Sequence, residues 1–336
     1  MNMNEALFYH RSGVEVICGL CMHQCRIKPG RRGICGVREN RDGRLVSLVY
    51  GKISAEQIDP VEKKPLFHFL PGTLTYSIST TGCNFKCLHC QNHSLSQVDS
   101  SHGRAVYVRK TPKEIAQAAL SGGCESISYT YVEPTVFFEF AYDCCLAAKD
   151  LALKNIFVSN GYMSHQAAGM LIPVLDAINV DIKSFRDDFY QKVCGARLAQ
   201  VLENVRFFRE QGVWVEVTTL LIPGLNDSDE EILDIAEFIV DVDPEIPWHI
   251  SGFRPMYRML DRLPTHPAQL QHAREIGLDA GVKHVYIGNV GDGRGECTRC
   301  DECHKTVIRR RGFTVIENGM KAGSCPSCGN RIAGIW

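Results

Sequence analysis

Between residues 70 and 290 the chain repeats one grammar: a short apolar run rich in β-branched and aromatic residues, then a longer helical run, then another strand. Seven strand candidates follow this rule: "LTYSIST" (74–80), "SISYTY" (126–131), "NIFVSN" (155–160), "AINVDIK" (177–183), "VWVEVTTLLI" (213–222), "WHISGF" (248–253) and "HVYIGN" (284–289). The helical runs between them have legible starts. Thr111-Pro112-Lys113-Glu114 is a capping box with proline at the first helical position. Ser228-Asp229-Glu230-Glu231 repeats the signal before "ILDIAEFIV", and "GLND" (224–227) and "NGYMS" (160–164) supply loop chemistry. Alternation of this kind implies parallel strands joined by right-handed crossovers. The expected fold class is α/β, a full or partial parallel (β/α) barrel, with a doubly wound sheet as the alternative. In a barrel, chemistry collects at the carboxyl ends of the strands.

Cysteine usage divides the rest. The chain has 16 cysteines, most in short-spaced groups. They mark a Cys-rich N-terminal module with a linker (1–70), a core (71–290) and a small C-terminal module (291–336). The opening "MNMNEALFYHRSG" has neither a basic n-region nor an apolar h-region, and no apolar run reaches the roughly 18 residues of a membrane span. Close-spaced cysteines without an export signal read as metal ligands in a reducing, cytoplasmic setting. A formal net charge of −1 argues against a general polyanion binder.

Directly after the first core strand, "CNFKCLHCQN" places Cys83, Cys87 and Cys90 within eight positions. A [4Fe–4S] cluster is held by one thiolate per iron, so three thiolates would leave one iron open. Catalytic zinc follows the same logic, with three protein ligands and a working position. Gly82 would ease the tight loop. The alternatives are a zinc knuckle completed by His89 or His93, or buried thiols. Cys300, Cys303, Cys325 and Cys328 form paired C-x2-C knuckles around a hairpin-like stretch, the spacing of a structural zinc ribbon, with an iron–sulfur cluster second. Cys297 leaves the first pair ambiguous. Arg309, Arg310 and Arg311 read as a solvated hairpin face, and nucleic acid is not expected as a partner. Cys18, Cys21, Cys25 and Cys35 could close a third site around zinc or an auxiliary iron–sulfur cluster, with His23 able to replace a thiolate. Free buried thiols are the plain alternative. Cys124, Cys144, Cys145 and Cys194 read as small buried hydrophobes.

The C-x3-C-x2-C spacing after a strand, with His89 before the last cysteine, resembles the radical S-adenosylmethionine (SAM) superfamily. That resemblance implies catalytic Cys83, Cys87 and Cys90 holding a [4Fe–4S] cluster. Its open iron chelates SAM, and reductive cleavage gives a 5′-deoxyadenosyl radical that abstracts a substrate hydrogen. It also implies that Glu133, in "TYVEPT", receives the SAM amino group. Tyr131 and Val132 stand where the superfamily often has two glycines, which questions the backbone part of that contact. Asn160 could approach the SAM ribose or carboxylate, or be part of a plain turn. Asp181 and Lys183 resemble the Asp-x-Lys of glycyl-radical-enzyme activases, and His249 has a similar placement; an ion pair and a hydrogen-bonded core histidine are the simpler readings.

Longer stretches, among them "CGLCMHQCRIKPGRRGICGVREN", "DPVEKKPLFHFLPG", "TTLLIPGLNDSDEEI" and "CPSCGNRIAGIW", are similar to the radical SAM component of the AmmeMemoRadiSam system. His304 departs from the glycine usual in the terminal ribbon. This resemblance implies Memo-type and Ammecr-type partner proteins and an electron donor such as flavodoxin or ferredoxin. The expected function is hydrogen abstraction from a protein or small molecule of that system. A glycyl-radical-enzyme activase is the nearest alternative, and a non-catalytic zinc-ribbon binding module is the alternative from another class.

Overall fold

The computed structural model describes residues 4–97, 106–289 and 295–336. The expected boundary between core and C-terminal module, at 290 and 291, lies outside the described residues. One eight-stranded sheet organises the chain. Its strands are β1 (Ala55–Pro60), β2 (Leu74–Ser79), β3 (Ser126–Tyr129), β4 (Lys154–Ser159), β5 (Ala177–Asp181), β6 (Trp214–Leu221), β7 (Trp248–Gly252) and β8 (Val285–Gly288), side by side in chain order. From β2 to β8 every pairing is parallel. Helices α1 (Pro112–Ser121), α2 (Phe138–Asp150), α3 (His165–Leu171), α4 (Ala199–Glu210), α5 (Asp229–Val242) and α6 (Pro267–Asp279) fill the crossovers. Among the described residues no ladder joins β8 back to β1, so the barrel is partial, and strands in unbroken chain order, with no reversal point, set the doubly wound alternative aside.

All seven expected strands form, because strands covered by crossover helices are buried on both faces and read as continuous apolar runs. In β3 every residue is buried. At α1 the capping box is complete: Thr111 N donates to Glu114 at 2.7 Å, and Glu114 N donates to the Thr111 hydroxyl at 3.3 Å. At α5 only half of the expected box exists. Glu231 N donates to Ser228 Oγ, but the Glu231 carboxylate is buried and accepts from Phe185 N at 2.8 Å and from the Ser184 hydroxyl. It ties the loop after β5 to α5 instead of capping the helix.

β1 is a strand the sequence does not announce. "AEQIDP" has no apolar alternation, and its extended form comes from antiparallel pairing with β2, Ala55 opposite Ser79 and Pro60 opposite Leu74. Charged residues on β1 suit an edge strand. The N-terminal module adds small antiparallel sheets, and "RLVSLVYG" is extended over Arg44–Ser47. No helix among the described residues is long and apolar enough to cross a membrane.

The C-terminal module contains the expected hairpin, β9 (Thr306–Arg311) and β10 (Thr314–Asn318). The solvated arginine face holds only in part. Strand residues alternate sides, so Arg309 and Arg311 are exposed while Arg310 turns inward. Its guanidinium meets Glu62 at 3.4 Å, with neither side chain exposed to solvent, and donates to Phe67 O and Thr298 Oγ1 at 2.7 Å each. The ribbon is thereby locked onto the segment before β2. Removing one partner of a buried pair strands the other charge. Arg310→Ala should therefore lower unfolding free energy by about 3–5 kcal/mol in a urea titration. Arg309→Ala should change it by about 0.5 kcal/mol or less.

Candidate active site

At the carboxyl ends of the core strands lies a cavity of about 470 Å³. Cys83, Cys87 and Cys90 line it, together with Glu133, Asn160, Asp181, Lys183 and His249. Every core site residue singled out in the sequence therefore meets at one place. Chain topology explains most of the convergence: the cysteine loop, Glu133, Asn160, Asp181 and Lys183 end or follow neighbouring parallel strands, whose carboxyl ends all point the same way, while His249 is the second residue of β7 and joins them from within its strand.

The cysteine loop is shaped by its surroundings. Gly82 has φ +93°, and a Cβ there would sit 2.7 Å from the Cys35 carbonyl oxygen, so only glycine fits. Lys86 N donates to Cys194 O at 2.7 Å and Leu88 N to Val193 O at 3.0 Å, pinning the loop along residues 190–194. Cys194 also reaches the Cys87 thiol, a contact that, with burial, pushes that thiol well above its ordinary range. Cys124, Cys144 and Cys145 are buried as expected.

Thiol spacing separates two kinds of site. A tetrahedral zinc ion with Zn–S near 2.3 Å holds its sulfurs about 3.8 Å apart. Cys300 and Cys328 are 3.6 Å apart, as are Cys303 and Cys325, and all four sulfurs lie within 4.8 Å of one another. This group could hold a metal ion. Backbone N–H groups of Cys328 and Ser327 hold the Cys325 thiol down to about 6, close to the thiolate a metal needs. Cys297 stands outside it, accepting from Arg310 N, and His304 takes φ +59° where a glycine would be easy. Among the described residues no other trio of candidate ligands is as close, so Cys83, Cys87, Cys90, His89 and His93 show no such preformed cluster. His93 stacks on Tyr257 at 4.8 Å. His89 is buried, its Nδ1 lacks a partner, and burial with the nearby Lys183 lowers its pKa to about 3, leaving a neutral ring beside the cavity.

Each of the other expected residues is already engaged. Glu133 Oε1 accepts from Thr135 N at 3.1 Å, Thr135 Oγ1 at 2.5 Å and Ser159 Oγ at 2.8 Å, while Oε2 accepts from Asn160 N at 2.7 Å. Burial pushes its carboxyl above the ordinary range against these donors. Asn160 donates to Asn84 Oδ1 at 2.8 Å and accepts from Tyr162 N at 3.1 Å. Lys183 Nζ pairs with Asp181 Oδ2 at 3.0 Å. His249 Nε2 sits 2.6 Å from Glu216 Oε2, a fully buried carboxylate. The sequence pattern does not single out Glu216, although a lone charge inside the apolar run "VWVEVTTLLI" is a signal for it.

Tyr131 answers the question raised by the missing glycines. It keeps a glycine-like backbone at φ +64°, at a strain cost of order 1–3 kcal/mol. The phenol donates to Asp59 at 2.6 Å, and Asp59 also receives Lys63 and Lys64 at 2.7 Å each. The four N-terminal cysteines, Cys18, Cys21, Cys25 and Cys35, surround a second, smaller cavity of about 20 Å³.

Comparison with known proteins gives this arrangement a class. A model of the radical SAM superfamily matches residues 77–239. Streptococcus suis SuiB shares the fold, with a TM-score of 0.50 and 16% identity over 63% of this chain and 48% of that one. The chain belongs to the radical SAM superfamily and is a radical SAM enzyme, which removes the non-catalytic binding module from consideration. Within that class it is pyruvate-formate-lyase-activating-enzyme-like, being 25% identical over 182 residues to pyruvate formate-lyase 1-activating enzyme of Escherichia coli K12 (51% of this chain, 72% of that one). It is also 42% identical over 334 residues to the uncharacterized protein MJ0808 of Methanocaldococcus jannaschii, across 98% of this chain and 99% of that one.

The Asp59 knot carries a pH signature. Burial opposes ionisation, yet hydrogen bonds from Lys63, Lys64 and Tyr131 outweigh it and hold the carboxyl well below the ordinary range. A depressed native pKa stabilises the fold above the unfolded value of about 3.9, and that stability is lost as pH falls toward the native value. Stability should therefore decline below about pH 4. In Asp59→Asn that part of the acid limb should flatten, as followed by thermal melts between neutral and acid pH.

Proposed function

We propose that the chain cleaves SAM reductively at a [4Fe–4S] cluster held by Cys83, Cys87 and Cys90, and uses it to abstract hydrogen from a protein or small-molecule substrate of the AmmeMemoRadiSam system. One observation carries this reading: three thiols, outside the close span that the C-terminal four share, meet in one cavity that no further cysteine among the described residues lines. The donor set suits the cofactors. Three thiolates satisfy three irons, and the buried Nδ1 of His89 has no protein partner beside them. When bound, the cluster and SAM supply one-electron cleavage and hydrogen abstraction.

The chain supplies orientation and dryness. Glu133 Oε2 has capacity beyond its bond from Asn160 N, and a carboxylate there accepts from an ammonium. The backbone at Tyr131, in its glycine-like conformation, offers the approach that a glycine pair provides elsewhere. Lys183, paired with Asp181, lines the cavity and would offer a cation to the carboxylate of bound SAM. Glu216 takes up His249 Nε2 and so sets the ring orientation, while the Phe67 edge packs on that ring at 4.8 Å. Phe67, Phe85 and Val132 line the cavity and exclude water. The four-thiol C-terminal group holds structural zinc on this reading, and Memo-type and Ammecr-type proteins are the candidate partners, with flavodoxin or ferredoxin as electron source.

A glycyl-radical-enzyme activase is the second reading, favoured by the likeness to the Escherichia coli activating enzyme. Both readings share the first test. Anaerobically reconstituted protein with dithionite and SAM should release 5′-deoxyadenosine, and Cys87→Ala should release none; wild-type turnover in that variant would sink the cluster assignment. Deuterated candidate proteins then separate the readings. Label should reach deoxyadenosine from a Memo-type or Ammecr-type protein, and label from a glycyl radical enzyme would instead establish the activase.

A further inference from the structure

We infer that Cys18, Cys21, Cys25 and Cys35 hold a second [4Fe–4S] cluster, ligated entirely by the protein and set against the wall of the first. The four thiols surround one cavity of about 20 Å³. Zinc or a cluster could each take four thiolates, and sulfur spacing separates the two. Sulfurs around one tetrahedral zinc lie about 3.8 Å apart. Among the described residues, no three of these four sulfurs share the 4.8 Å span that the C-terminal group satisfies with all of its members. A four-iron cluster gives each thiolate its own iron and so spreads them wider. Cys83, Cys87 and Cys90 likewise do not share that span.

The lining matches an anionic, sulfur-rich guest. Arg38 spends its terminal nitrogens on Glu139 and Leu7 O, but its Nε is buried without a partner, as is Asn84 Nδ2. Both residues line this cavity. Orphaned buried donors are rare, and two at one site point to an acceptor that the protein itself does not supply. Bridging sulfides are such acceptors.

The two sites share residues. Asn84 follows Cys83 directly, accepts from Asn160 in the catalytic cavity, and meets His23 Nε2 through its own carbonyl at 2.8 Å. Gly82, which introduces the catalytic loop, presses on the Cys35 carbonyl. Since all four irons of the N-terminal cluster would be taken by protein thiolates, none is left open to SAM.

The test counts metal and needs no turnover, so its failure is distinct from failure of the catalytic reading. Full-length protein with Cys83, Cys87 and Cys90 all changed to Ala is reconstituted anaerobically with ferrous iron and sulfide. It should retain about four iron and four sulfide per chain and give a cluster EPR signal on reduction. Further substitution of Cys18, Cys21, Cys25 and Cys35 by Ala should bring iron to background while leaving zinc unchanged. Should that variant fail to fold, Cys35→Ser in the three-cysteine variant should shift the EPR signal, and an unchanged signal would overturn the assignment. Iron at background with two zinc ions per chain in the three-cysteine variant would overturn it as well.

Discussion

A carboxylate with no exposed surface, Glu216, accepts hydrogen bonds from Phe67 N at 3.0 Å, His68 N at 2.8 Å, Trp214 Nε1 at 3.0 Å and His249 Nε2 at 2.6 Å. Burying an unpaired carboxylate costs several kcal/mol, so these donors have to arrive together for the core to close. They come from β6 itself, from β7 and from the segment that precedes β2. One group thus aligns the cavity histidine with the stretch on which the C-terminal module sits. His68 Nδ1 meets Ala333 O at 2.7 Å, and Phe67 O receives Arg310. A single buried charge connects the floor of the barrel to its last residues.

The cavity residues hold one another before any ligand arrives. Glu133 joins the tip of β3 to the tip of β4 through Ser159 and Asn160, and Asn160 passes the connection to Asn84 beside Cys83. Lys183 is held by Asp181, and its backbone N–H donates to Tyr190 at 3.0 Å. Positions set by such networks need little rearrangement on binding, which is the physical meaning of a preorganised site. Most of the hydrogen-bonding capacity of Glu133 and Asn160 is structural, and only what remains faces the cavity.

How much of this was legible in the sequence varied with how local the cause was. The seven parallel strands were readable because crossover-covered strands are apolar throughout, and the Thr111 cap because its partners lie three residues apart. The three-cysteine loop was readable because its spacing is itself the chemistry. Other features depend on distant partners. β1 is extended because the edge of β2 offers it hydrogen bonds, and nothing in "AEQIDP" encodes that. Arg310 looked like its neighbours until strand alternation turned it toward Glu62, 248 positions earlier. Glu231 fits a capping box by pattern, yet the loop after β5 claims its carboxylate. The Tyr131 phenol is held by Asp59, which lies 72 positions before it.

Phe313, at the turn between β9 and β10, lines the same cavity as Cys83 and His249. A module at the far end of the chain therefore supplies part of the rim that a substrate must cross. Exchanging C-terminal modules between relatives would not produce neutral chimeras. Each exchange would carry over a different doorway, so the entrance and the chemistry can be inherited from different parents.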